Sequence, residues 1–224
     1  MPKGKQYIWL NPVVLQMTEP KERRRILLKL GLEELNCREN HIEAVRSAYR
    51  NAAKLEQERE QRGGAHRLLC DIRCPMAAEL VKKRFSQAEV VFPKTLPILV
   101  QSAAELSARL ACEPDAQLTV IAPCEALCVL GRMQGYPRTE FLTWKTFCGR
   151  YDLHPRMRRQ RQSPIPPGFF AGCARRVVSL DSRDKILQFF SAHREGEADL
   201  AELLYCCGGC HQSEDMLGTE AIWS

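Results

Sequence analysis

Eleven of the 224 residues are cysteine, and three groups of them share one setting. Cys74-Pro75 follows an apolar run that ends near Ile72. Pro123-Cys124 follows Leu118 to Ala122. Cys206-Cys207-Gly208-Gly209-Cys210 follows Leu200 to Tyr205. Each run reads as a strand, so each thiol group lies just past a carboxyl end, where open α/β sheets place their sites. Eleven is odd, so full internal disulfide pairing is excluded. Clustered thiols then read as metal ligands or redox groups.

Thiolates suit zinc, copper(I) or iron–sulfur clusters. A cuboidal cluster needs four thiolates, and its sulfurs accept backbone N–H bonds. Gly208 and Gly209, lacking a Cβ, let the backbone come close. The expected ligands are Cys74, Cys124, Cys206 and Cys210. Structural zinc prefers paired knuckles with two to four residues between ligands. Cys74 and Cys124 stand as distant single ligands, which favours a cluster. The spacings Cys70 to Cys74, Cys124 to Cys128 and Cys207 to Cys210 leave zinc open. Cys70, Cys128 and Cys207 are substitute ligands or neighbouring thiols. Cys37, Cys112, Cys148 and Cys173 read as small buried hydrophobes. His211 adjoins Cys210 and is a further metal candidate, while His66 and His154 read as loop histidines.

The elements that must carry these thiols alternate. The expected strands are Gln6 to Leu10, Arg67 to Ile72, Ala88 to Phe92, Leu118 to Ala122, Arg176 to Leu180 and Leu200 to Tyr205. The expected helices are about Glu19 to Leu30, stopped by Gly31, then Met76 to Phe85, Pro97 to Leu110, Thr143 to Arg150 and Arg183 to His193. A short extended piece leads to Cys37. Asn40 with Glu43 forms a capping box for another helix, which carries Ile42, Val45, Tyr49 and Ala52 on one face and ends at Gly63-Gly64. The pattern predicts an α/β fold with mainly parallel sheets. The stretch from Asp152 to Gly168, with Pro155, Pro164, Pro166 and Pro167, is expected to be a loop.

Composition narrows the rest. Hydrophobic residues make up 45% and charged residues 27%, which opposes global disorder. Lys and Arg number 33 against 27 acids, a net charge of +6 with no long single-sign tail. Arg156, Arg158, Arg159 and Arg161 form the densest basic run, read as a solvated loop or a dock for an acidic redox partner. No aromatic residues interleave with them, so nucleic acid is not expected. No membrane span or signal peptide is visible, and the cytoplasm is the expected compartment.

Certain segments resemble iron-only (diiron) hydrogenases. Gly196-Glu197-Ala198-Asp199 followed by Leu203-Leu204-Tyr205 and the Cys206–Cys210 run is similar to that family's last cluster motif. Val120-Ile121-Ala122-Pro123-Cys124 looks like its middle motif, and Cys74-Pro75 like the end of its first. Phe141 to Phe147 is similar to the segment after the middle motif, and Leu28-Lys29-Leu30-Gly31 to an upstream helix end. The likeness runs from about Leu27 to Gly218.

The resemblance implies two α/β lobes with mainly parallel sheets flanked by helices and a cluster site between them. Residues 1–64 would pack as a strand and helix segment on a hydrogenase-like region, 65–224. It implies a four-iron four-sulfur (4Fe-4S) cluster on Cys74, Cys124, Cys206 and Cys210. In active enzymes Cys210 would also bridge to a diiron subsite bearing carbon monoxide and cyanide.

The sequence departs from the family at that subsite. Arg73 stands where the family has a second cysteine, a proton relay. Leu127 replaces a lysine that bonds cyanide, and Leu130 replaces an acid. A proton reaching a metal needs a titratable carrier, and leucine is none. The expected function is therefore electron transfer, or an accessory role in a redox complex, with a ferredoxin-like protein or a companion subunit as partner. The alternatives are a hydrogenase or hydrogen sensor with a divergent pocket, and a cluster-assembly factor.

Overall fold

Apolar runs and amphipathic helices alternate along the chain, and the computed structural model describes residues 4–158 and 163–210. In order they are β1 (Gln6–Leu10), α1 (Pro12–Met17), α2 (Pro20–Leu30), β2 (Leu32–Glu34), α3 (His41–Gln61), β3 (Leu68–Cys70), α4 (Pro75–Arg84), β4 (Val90–Val91), α5 (Ile98–Arg109), β5 (Gln117–Ala122), α6 (Glu125–Met133), β6 (Thr139–Thr143), α7 (Trp144–Arg150), β7 (Val177–Leu180), α8 (Arg183–Ser191) and β8 (Leu200–Leu203). A 3₁₀ turn, Glu195–Glu197, precedes β8.

The described residues form two units. One takes 4–39, 99–158, 163–164 and Cys210; the other takes 40–98 and 165–209. Each is thus assembled from separated stretches of chain.

The first unit is built on a parallel sheet of order β2-β1-β5-β6. The chain leaves β1 toward β2 on one side and β5 toward β6 on the other. The connections diverge between β1 and β5, which makes a topological switch point there. β5 is buried along Leu118 to Ala122, as a strand covered on both faces must be. Ile8, Leu10, Val14, Ile26, Leu27, Ile121, Leu142, Trp144, Phe147 and Cys148 form a core cluster in this unit. α6 lies close on β6: a Cβ at Gly131 would come within 2.4 Å of the Phe141 ring.

The second unit is built on a parallel sheet of order β4-β3-β8-β7. Every residue of β3 and β8 is buried. One cluster, with Leu68, Cys70, Val81, Ile186, Phe190 and Leu203, includes residues of α4 and α8. Another, with Val45, Tyr49, Leu69, Phe170 and Leu200, includes residues of α3.

The α/β architecture with parallel sheets is the expected one. The structure departs from the sequence reading in three places. α1 has no counterpart among the expected helices, and Asn11-Pro12 starts it: the Asn11 side chain accepts from Val13 N–H at 2.9 Å, and Pro12 occupies the first turn, where its missing N–H costs nothing. α6 and β6 were not anticipated, since α6 has nine residues and contains Gly131. The strands expected at Arg67 to Ile72 and Ala88 to Phe92 are shorter, at three and two residues.

Candidate functional site

Two strand-to-helix turns carry single cysteines in the same way. Cys74 is the residue that opens α4, with Pro75 in its first turn. Cys124 opens α6 after Pro123. Both have extended backbone, with φ −103° at Cys74 and −154° at Cys124. A helix N-terminus, with its unpaired N–H groups and dipole, favours a thiolate there.

In the second unit, Cys74 and Cys206 follow the neighbouring central strands β3 and β8. Their thiols are close enough for the charge of one to raise the pKa of the other. Burial pushes the Cys206 thiol up to about 11, with the charge of Cys74 adding to it. Burial also pushes Cys74 up, opposed by backbone N–H bonds from Tyr205, Ala77 and Met76 to its sulfur. Bare, these thiols stay protonated at neutral pH, and metal binding would release their protons.

The Cys206 loop follows from its glycines. Gly208 has φ +71° and Gly209 φ +93°, the left-handed region that a side chain opposes. The turn is fixed by Gly208 N–H to Asp181 O and Gly209 N–H to Cys206 O, both 3.0 Å. Upstream, the Asp199 carboxylate accepts from the Arg176 backbone N–H at 2.9 Å and from its guanidinium at 2.6 Å. Leu69 N–H donates to Asp199 O at 3.1 Å. The Gly196–Asp199 turn therefore fastens the start of β8 to both neighbouring strands.

The other cysteines sit differently. Cys70 lies within β3 in an apolar cluster, and burial drives its pKa up. Cys128 is buried one turn into α6, and Cys207 is exposed. Cys148 is in the apolar core, where burial pushes it up to about 11. Cys173 is buried and donates to Arg46 O at 3.8 Å. Cys37 is partly buried and donates to Ser102 O at 3.9 Å, whereas Cys112 is exposed rather than buried as expected. Cys210 is partly buried in the other unit's set of residues. His66 Nε2–H donates to the carbonyl groups of a turn, Ala198 O at 3.0 Å and Glu195 O at 3.3 Å. His154 is exposed beside Asp152. His211, Arg159 and Arg161 lie outside the described residues. Arg158 pairs with Glu19, and the Arg156 N–H bonds Glu22.

The sequence reading missed a buried charged cluster behind the two thiols. Asp71 and Glu202 are both 0% exposed, and the Arg73 side chain is 7% exposed. The Arg73 Nη2 lies 2.8 Å from Asp71 and 3.5 Å from Glu202. The one available signal was an acid inside an otherwise apolar strand, Leu200-Ala201-Glu202-Leu203.

No protein-family model and no curated protein matches the chain. Solved structures do. The chain is similar to a variant of the FeFe-hydrogenase HydA1 from Chlamydomonas reinhardtii, with TM-score 0.60 and 12% identity over 99% of this chain and 83% of that one. It is also similar to HydA(deltaEFG), described as revealing stepwise H-cluster assembly, with TM-score 0.61 and 12% identity over 99% and 82%. The fold is hydrogenase-like. Within that hydrogenase-like fold, Cys74 and Cys206 mark the carboxyl ends of the central strands of one sheet, and Cys124 that of a central strand of the other. No helix among the described residues is long and apolar enough to cross a membrane.

Proposed function

We propose that the protein binds an iron–sulfur cluster, of the 4Fe-4S type, on Cys74, Cys124, Cys206 and Cys210, and that it transfers electrons or serves a redox complex as an accessory subunit. The observation that carries this reading is the pair Cys74 and Cys206, which follow the carboxyl ends of the adjacent paired strands β3 and β8, with the charge of Cys74 raising the Cys206 pKa. The residues fit the group, because four thiolates are its ordinary ligand set and N–H donors to sulfur stabilise its negative charge. When bound, such a cluster supplies a one-electron couple. The chain contributes the thiols and the glycine turn that follows Cys206.

The test is anaerobic purification with iron and sulfide counts and electron paramagnetic resonance of the reduced protein. Brown protein with about four iron and four sulfide per chain is expected. Cys74→Ser and Cys206→Ser should each lose most of the iron. Colourless protein that holds zinc would end the proposal.

A further inference from the structure

Arg73 immediately precedes Cys74, and its guanidinium is enclosed in the second unit. Its centre lies 4.3 Å from the Phe169 ring centroid and 4.4 Å from that of Phe170. The Nε donates to Asp71 Oδ2 at 2.9 Å, and the Arg73 backbone N–H donates to Asp71 Oδ1 at 2.8 Å. One residue is therefore held to Asp71 at both ends.

The two carboxylates it faces belong to the two strands that lead to the thiols. Asp71 ends the β3 segment before Cys74, and its Oδ2 also lies 3.4 Å from the donating Leu203 N–H on β8. The Tyr49 hydroxyl donates to Asp71 Oδ1 at 3.3 Å and accepts from Ile72 N–H at 2.8 Å. Glu202, on β8, accepts from Gly168 N–H at 2.6 Å, Phe170 N–H at 2.7 Å and the Ser179 hydroxyl at 2.6 Å. Phe170 N–H thus binds Glu202 while its ring covers Arg73.

The charges explain why this arrangement is kept. Two buried carboxylates on adjacent strands repel, and a single cation between them offsets that repulsion in a low-dielectric interior. Arginine suits the position because its planar fork can face two acids and its faces can stack on rings. Lysine could not do both.

We infer that Arg73 is a positioning residue which sets Cys74 and Cys206 in place before any metal arrives. The inference rests on the reading of those two thiols as cluster ligands. Arg73 touches no reacting atom. It acts through the loop it begins and through the acids at the bases of both ligand loops.

Cobalt(II) is the probe, added anaerobically to the full metal-free chain with thiols reduced. Thiolate-to-cobalt absorption reports sulfur ligation without needing a cluster. Wild type should show the band, and Cys74→Ser and Cys206→Ser should lose it. Arg73→Met should weaken cobalt about 10- to 100-fold, the usual effect of removing a group that holds a ligand in place. Arg73→Lys and Phe169→Leu are milder and should each weaken binding by a smaller factor with circular dichroism unchanged. They decide the matter if Arg73→Met does not fold. Ile26→Ala, buried on α2 in the core of the first unit, lowers stability without touching the Arg73 contacts or the cluster that packs Cys74 and should leave cobalt affinity alone.

Wild-type affinity in both milder variants would overturn the positioning role while leaving the cluster reading intact. So would equal weakening by Ile26→Ala. A wild type with no thiolate band, or a band that survives both serine variants, would instead remove the thiol site on which the inference rests.

Discussion

At the residue scale, the buried hydroxyl of Tyr49 tests whether the polar cluster is cooperative. The ring is fully buried and stacks on Phe170 at a centroid distance of 4.1 Å. Burial raises the pKa of its hydroxyl well above the usual value, and the charge of Asp71 adds to this, so it stays neutral and can donate. Tyr49→Phe keeps the ring and removes one oxygen. Ile72 N–H then has no acceptor from this side chain, and Asp71 loses a donor. A buried group left unpaired costs about 1–3 kcal/mol. Urea unfolding should show an unfolding free energy lowered by that amount, with a lower midpoint and an unchanged slope. An unchanged midpoint would mean that water or another group replaces the hydroxyl.

At the element scale, the turn before β8 makes the protein sensitive to acid. Burial alone would raise the Asp199 pKa, but the hydrogen bonds and charge of Arg176, aided by Arg175, outweigh it and hold the carboxyl low. The unfolded value is about 3.9. A depressed carboxyl contributes stability that is present above the unfolded pKa and lost as pH falls through the folded one. Asp199→Asn should therefore melt at a lower temperature than wild type at pH 6 to 7, a buffer range about two to three units above that value. The gap should close as pH falls below about 3.9. A gap constant across pH would show that Asp199 acts through its backbone turn and not its charge.

Elements were legible in the sequence where local chemistry and tertiary packing agree. β1 runs over the predicted residues, and the Asn40 side chain accepts from Glu43 N–H at 3.1 Å as the capping box requires. α2 ends at Gly31, which has φ +65°. α6 was missed although most of its residues favour helix, because it spans only nine residues and carries a glycine, which fits against Phe141. The thiols were legible because a cysteine beside a proline at a strand end marks its own place. Asp71, Arg73 and Glu202 were not. A charged residue in a sequence reads as solvated, and only the pairing of β3 with β8 brings these three together away from water.

At the scale of the whole molecule, the hydrogenase-like fold does not carry the demand for proton movement into this sequence. Hydrogen turnover needs a carrier that gains and loses a proton near the metal. Arg73 cannot serve. Burial would lower its pKa, but the attraction of Asp71, with Glu202, raises it further, and guanidinium does not deprotonate in proteins. Leu127, in the first turns of α6, is buried and carries no donor. Neither position supplies a proton carrier, in keeping with the electron-transfer reading proposed above. The expected outcome is specific. Chain produced anaerobically together with hydrogenase maturation factors should contain iron and sulfide, yet show no infrared bands from bound carbon monoxide or cyanide and evolve no hydrogen from a reduced viologen dye. Such bands in the cluster-loaded protein would show that a diiron group can be held without those side chains, and the electron-transfer reading would give way to that of a hydrogenase or hydrogen sensor.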